Sequence, residues 1–172
     1  MVNDKIINEY KQIFNTIFFV GAQPETLQKH LIHELGKIEY AITDKADGDR
    51  YFLIIMDSKV YFISTNLVVK YSGIELKTKD YDGTILDGEY IFIPKLNRHV
   101  YMIFDCLFVS SRDLRKESKF FARITEAEKF INKYFVADKQ IGYVRSEYKA
   151  VGEYNLDAHV KFCGEEIIKI GR

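Results

Sequence analysis

From Ile38 to Val109 the chain is made of short stretches of Tyr, Phe, Ile and Val separated by Asp-Gly, Asp-Ser and Asn-Arg pairs. β-Branched and aromatic side chains suit a pleated surface, and those dipeptides close tight turns, so the pattern commits the middle of the chain to antiparallel sheet. Strands are predicted near 38–44, 50–56, 59–64, 66–71, 84–93 and 99–109, with Asp57-Ser58 and Asn97-Arg98 as hairpin turns.

The flanks read differently. Ile6, Ile7, Tyr10, Ile13 and Phe14 recur at helical spacing over 4–16, and Leu27, Leu31, Ile32 and Leu35 do so over 24–35, before Gly36 as a stop. Thr125-Glu126-Ala127-Glu128 has the form of a capping box, and Ala127, Phe130, Ile131 and Tyr134 follow on one face, which predicts a helix over 126–135. The remaining C-terminal residues read as short strands or loops. Without a repeat, a low-complexity segment or a linker, residues 1–172 are expected to form a single α+β domain of antiparallel sheets with flanking helices.

Composition narrows the function classes. A hydrophobic content of 47% with two prolines gives enough apolar surface for a core and excludes a disordered chain. Lys plus Arg equals Asp plus Glu, 25 of each, so no whole-chain field draws the protein to nucleic acid and any such contact must be local. Cys106 and Cys163 make neither a disulfide framework nor a zinc spacing, which points to a reducing, cytoplasmic setting. His30, His33, His99 and His159 share no ligand spacing. No apolar run approaches the roughly 20 residues of a membrane span, and no secretory signal opens the chain, so no membrane role is expected.

The chemistry concentrates in Lys45-Ala46-Asp47-Gly48-Asp49-Arg50, a KxDGxR segment at the end of an apolar strand. A lysine attacks phosphorus only as the free amine, so a site built on it must favour the neutral form through nearby cations, a metal or desolvation. The same residues also suit a plain hairpin with solvated strand-end charges. Two further elements weigh against that plain reading. Asp87-Gly88-Glu89 places carboxylates inside the apolar strand Thr84–Ile93, and Phe104-Asp105 sets an aromatic beside an acid in the strand Tyr101–Phe108. Charges in mid-strand need a partner or a task; for Glu89 the structural alternative is an ion pair with Lys45 or Arg50, and for Phe104 it is core packing.

In this order, with about forty residues between the first two, these elements resemble motifs I, III and IIIa of the covalent lysyl-nucleotidyltransferase superfamily, which holds mRNA capping guanylyltransferases and ATP- or NAD-dependent ligases. With the lead-in Phe19-Val20-Gly21-Ala22-Gln23-Pro24 and the stretch Tyr40-Ala41-Ile42-Thr43-Asp44-Lys45, the chain looks most like the guanylyltransferase domain of capping enzymes from large DNA viruses. The resemblance implies that Lys45 is the nucleophile that forms a lysyl-GMP adduct. It further implies that Asp47 and Gly48 shape the turn, that Arg50 contacts ribose or phosphate, that Glu89 contacts the ribose or a metal-linked water, and that Phe104 stacks on the base. GTP and the 5′ end of RNA would be the substrates and Mg²⁺ or Mn²⁺ the cofactor, with other capping-enzyme domains or a partner chain as associates.

The resemblance covers residues 19–110. Motif IV has no match, since Gly152-Glu153 reverses its acidic-Gly pair, and the motif V lysines find only strained counterparts in Lys161 and Lys169. The C-terminal OB-fold domain of the family has no room in 172 residues. Val60–Asn66 carries no basic residue where relatives often have an arginine. Three readings stand at this point: part of a longer capping enzyme, a minimal enzyme using Lys161 and Lys169, or a non-catalytic nucleotide-binding or interaction domain. An ATP-dependent DNA or RNA ligase domain would share Lys45, Glu89 and Phe104.

Overall fold

The structure, a computed structural model, describes residues 2–26, 28–30, 41–43, 45–116, 119–134, 141–145 and 149–150. Helix α1, Val2–Phe14, puts Ile6 and Tyr10 on its buried face, and Asp4 lies in its first turn, where the helix dipole favours a negative charge. Strand β1 (Ala41–Ile42) forms a separate two-stranded ladder with β9 (Lys149–Ala150).

The main sheet is built from β2 (Asp49–Met56), β3 (Lys59–Ser64), β4 (Val69–Glu75), β5 (Ile85–Ile93), β6 (Arg98–Val109) and β7 (Arg112–Asp113), in the order β4-β3-β2-β5-β6-β7. All these pairs are antiparallel, as the turn spacing predicts. Strand β8 (Ile141–Arg145) adds a parallel pairing with β6, which the sequence did not announce. The connection from β7 to β8 runs through helix α2 (Phe120–Tyr134), and a helical crossover is what a parallel neighbour requires.

Alternation along the strands divides the core between the two sheet faces. On one face Leu53, Ile55, Phe62, Leu86, Tyr101 and Ile103 pack with Ile124, Ala127 and Phe130 of α2. On the other, Phe52, Ile54, Tyr61, Ile63, Ile85 and Phe108 pack with Ile6 and Tyr10 of α1. Each helix therefore seals one side of the same sheet.

Strand β6 departs from simple alternation twice. Against β5, Ile103 opposes Gly88 but Asp105 opposes Asp87, leaving Phe104 as an extra residue; Cys106 opposes Leu86 but Phe108 opposes Ile85, leaving Leu107 as a second. Such bulges bend a strand and re-aim the side chain at the insertion.

Several predicted boundaries move. Asp57-Ser58 is the expected hairpin turn, with both residues at positive φ. The second turn lies earlier than Asn97-Arg98: Pro94–Leu96 form a 3-10 turn ended by left-handed Asn97, and Arg98 already pairs in β6. Strand β4 begins at Val69, not 66, because residues 65–68 are consumed in a turn with Leu67 at positive φ. Ser110 and Ser111, both at positive φ, form a two-residue turn leading into β7. Helix α2 starts at Phe120, six residues before the predicted 126; Ile124 extends its buried stripe upstream. The Thr125 hydroxyl donates to the Phe121 carbonyl at 2.8 Å, one turn back, so it lies inside the helix and does not cap it. Of the predicted 24–35 helix, residues 24–26 are irregular and 31–35 lie outside the described residues, as do 38–40 of the first predicted strand.

Candidate active site

Strands β2 and β5 pair with Arg50 directly opposite Glu89 and Phe52 opposite Asp87. These residues share the face covered by α1. Although Glu89 is its cross-strand neighbour, the Arg50 guanidinium turns to the diagonal Asp87, donating from Nε to Oδ1 at 3.0 Å and from Nη2 to Oδ2 at 2.6 Å. The Asp87 side chain is 3% exposed and that of Arg50 17%, so this is a desolvated, two-pronged pair. Asp87 did not stand out in the sequence as a site residue; its position in mid-strand, two residues before Glu89, was the available signal.

Arg50 is held on all sides. Its Nη1 donates to the Ala22 carbonyl at 2.6 Å, and its guanidinium carbon lies 5.4 Å from the Phe19 ring centre and 5.3 Å from that of Phe104. Burial works against its charge, but the hydrogen bonds and charge of Asp87, together with Glu89, hold its pKa above the ordinary value. Burial likewise pushes the Asp87 carboxyl up to about 6, against the pull of Arg50.

With Arg50 engaged by Asp87, Glu89 keeps its carboxylate for the turn. Burial holds its pKa above the ordinary value, against the lowering influence of the Gly48 backbone N–H and of the charges of Lys45 and Arg50. Glu89 thus lies within the field of the KxDGxR segment. Gly48 is required there by space: a Cβ would lie 2.5 Å from the Tyr90 carbonyl oxygen and 3.0 Å from Ile91 Cγ1. The turn presses against the β5 backbone at a point where only glycine fits.

Lys45 stands out from this cluster. Its side chain is 88% exposed, with Nζ 3.5 Å from the Ala46 carbonyl oxygen and 4.0 Å from Asp47 Oδ1. Phe104, half-buried at its bulge, faces Arg50. Its neighbour Asp105 has a structural partner: Arg123 of α2 donates to it from Nε at 2.9 Å and Nη2 at 3.1 Å, tying the helix to β6. His99 stacks on Tyr90 at 4.6 Å. Cys106 is buried, its thiol pushed up to about 12 by that burial. Gly152-Glu153, Lys161 and Lys169 lie outside the described residues, as do His33, His159 and Cys163. Among the described residues no three His, Cys, Asp or Glu side chains cluster to hold a metal ion, and no helix is long and apolar enough to cross a membrane.

A twisted antiparallel sheet with a helix on each face and a lysine-bearing turn at the mouth of β2 is the arrangement of a nucleotidyltransferase domain. The solved structure named Pmar-Lig_Pre superposes with a TM-score of 0.54 at 22% identity, over 93% of this chain and 42% of that one. Pmar-Lig_PreS3 gives 0.53 at 20% identity, over 98% and 45%. The chain belongs to the mRNA capping enzyme family, catalytic domain, whose family model matches residues 3–154. Among curated relatives, it is 33% identical over 123 residues to the probable mRNA-capping enzyme of Acanthamoeba polyphaga mimivirus, 69% of this chain and 10% of that protein. It is 28% identical over 185 aligned positions to the mRNA-capping enzyme of Caenorhabditis elegans, 98% of this chain and 29% of that protein. The chain therefore spans a tenth of one relative and under a third of the other.

Proposed function

We propose that this chain is the nucleotide-binding part of an mRNA guanylyltransferase, with Lys45 as its nucleophile. The observation that carries this reading is that the KxDGxR segment enters β2 with Arg50 directly opposite Glu89 and Gly48 packed against the β5 backbone, in a member of the capping-enzyme family. The Lys45 amine, once it has given up its proton, attacks the α-phosphorus of GTP; an N–P bond forms, the α–β bridging P–O bond breaks, and pyrophosphate leaves. The GMP then passes to a 5′-diphosphate RNA end and frees the lysine. Most of the rate acceleration in such transfers comes from alignment and charge neutralisation.

Each side chain has a task in that scheme. Glu89 draws Lys45 in and accepts from a ribose hydroxyl; Arg50, fixed by Asp87, offers positive charge to ribose or phosphate; Phe104 provides an aromatic face for the base. Asp47 and Glu89 are two carboxylates beside the nucleophile, too few for a protein-built cage but suited to a Mg²⁺ or Mn²⁺ ion that arrives mainly on phosphate oxygens. When bound, that ion supplies neutralisation of triphosphate charge. Contacts to the phosphates from Lys161 or Lys169, and closure over the nucleotide by further domains or a partner chain, complete the proposal.

The likeness to ligase-named structures favours a second reading, an ATP-dependent ligase domain with the same Lys45, Glu89 and Phe104. One experiment separates the two. The protein is incubated with α-labelled GTP or ATP and Mg²⁺ or Mn²⁺ and run on a denaturing gel beside Lys45→Ala. Label from GTP that disappears in the variant is the expected result; label from ATP alone favours the ligase. Nucleotide binding with no covalent label, in this chain and in the longer protein, would identify a non-catalytic domain.

A further inference from the structure

Tyr10 is fully buried in the apolar contact between α1 and the sheet, 4.7 Å from the Phe14 ring and 6.2 Å from that of Phe52. A phenylalanine would fill that space equally well, and a buried hydroxyl is a cost unless it is bonded. The Tyr10 hydroxyl is bonded twice, to a segment that packing alone would leave loose. It donates to the Phe18 carbonyl at 2.9 Å and accepts from the Val20 N–H at 3.0 Å. Burial raises its pKa, so it stays a neutral phenol, able to do both.

The residues it pins are those that grip Arg50. Phe19, between the two bonded positions, stacks on Phe52 at 4.2 Å and presents its ring to the guanidinium. Gly21 follows, where a Cβ would collide with the Phe19 ring and come within 2.6 Å of Arg50 Nη2, and then Ala22, whose carbonyl accepts from Arg50 Nη1. Residues 18–22 form a strap over the guanidinium, opposite the carboxylate that holds it from the sheet.

We infer that Tyr10 is a positioning residue for Arg50, acting through the strap at residues 18–22. It touches no substrate; it fixes the Phe18–Val20 backbone and so sets the geometry in which Arg50 meets the nucleotide. Phe18 and Val20 are exposed, so water can take over the two hydrogen bonds when the hydroxyl is removed. Tyr10→Phe therefore frees the strap while keeping the core.

The inference rests on the guanylyltransferase reading for its catalytic consequence, but not for its structural one, and the test separates them. Tyr10→Phe is compared with the unaltered chain for the rate of lysyl-GMP formation, alone and combined with Arg50→Lys. The Arg50 Nε–H signal, identified by its absence in Arg50→Lys, is followed in nitrogen-edited NMR spectra. We expect kcat/KM to fall about tenfold in Tyr10→Phe, with little added loss in the Arg50→Lys background, and the Nε–H signal to shift or broaden. Losses that multiply in the double variant, or a wild-type rate with an unmoved signal, would overturn the inference. If neither the unaltered chain nor the longer protein forms the adduct, the functional reading fails and the Nε–H signal alone decides the role of Tyr10. Should Tyr10→Phe not fold, Val20→Pro, which removes the N–H that the Tyr10 hydroxyl accepts from, must displace the same signal; an unmoved signal there also overturns it.

Discussion

Arg50 and Asp87 are bound by two hydrogen bonds, 3.0 and 2.6 Å, although the register places Glu89, not Asp87, across from Arg50. The diagonal choice separates the two acids: one neutralises the arginine, and the other is left to face the lysine turn. Removing one member of such a desolvated pair strands the other. Asp87→Ala is expected to lower unfolding stability by about 3–5 kcal/mol in urea titrations, well beyond what its volume alone would cost.

The same pair predicts a dependence on pH. The folded Asp87 carboxyl is raised from 3.8 to about 6. Its folded value lies above its unfolded one, so its stabilising contribution is fully present below about pH 4, declines as the pH rises toward 6, and is flat above that. Adduct formation runs the other way: below about pH 6 the neutral acid no longer fixes Arg50, and kcat/KM should fall with each unit of acidification. Asp87→Asn should lower the rate at pH 8 and abolish this acidic limb; a limb unchanged in the variant would assign it to another group.

Lys45 offers the opposite dissociation of stability from activity. Its side chain is 88% exposed and, among the described residues, bonded only to its own segment. Lys45→Ala should change unfolding stability by less than about 0.5 kcal/mol while abolishing the covalent label.

Gly48→Ala tests the turn itself. The added methyl meets the Tyr90 carbonyl, backbone that cannot swing away. A loss of about 1–3 kcal/mol, with a strongly reduced label, is expected, because the clash is relieved only by moving the segment that carries Lys45.

Arg123→Ala serves as the contrast. It removes the ion pair that ties α2 to Asp105 of β6. Thermal unfolding should come earlier by an amount equivalent to about 1–3 kcal/mol, while nucleotide affinity, measured by calorimetry, stays close to that of the unaltered chain.

The strands were legible because period-two alternation and turn dipeptides are local signals. The buried Ile and Phe of β2 and β3, and the positive-φ pair Asp57-Ser58, follow from them directly. Residues whose roles depend on distant partners were not legible. Nothing near Asp87 in the chain says that an arginine 37 positions earlier will claim it in preference to Glu89. Thr125 has a capping-box neighbourhood, yet Phe120, Phe121 and Ile124 gain more by extending the helix into the core than Thr125 would by ending it. The parallel strand β8 is set by a crossover, and no pattern within its five residues encodes a neighbour's direction.

The two bulges of β6 act as a phase error and its correction. Up to Ile103, odd-numbered residues face α2; after the extra Phe104, that role passes to even-numbered Cys106; after the extra Leu107, it returns to odd-numbered Val109, while Phe108 faces α1. The inversion is confined to the few residues beside the Arg50 cluster, and both ends of the strand keep their place in the two cores. An insertion or deletion of a single residue between 104 and 107 would leave the phase uncorrected, exchanging the sides of everything downstream in the strand. A substitution there can be absorbed; a change of length cannot.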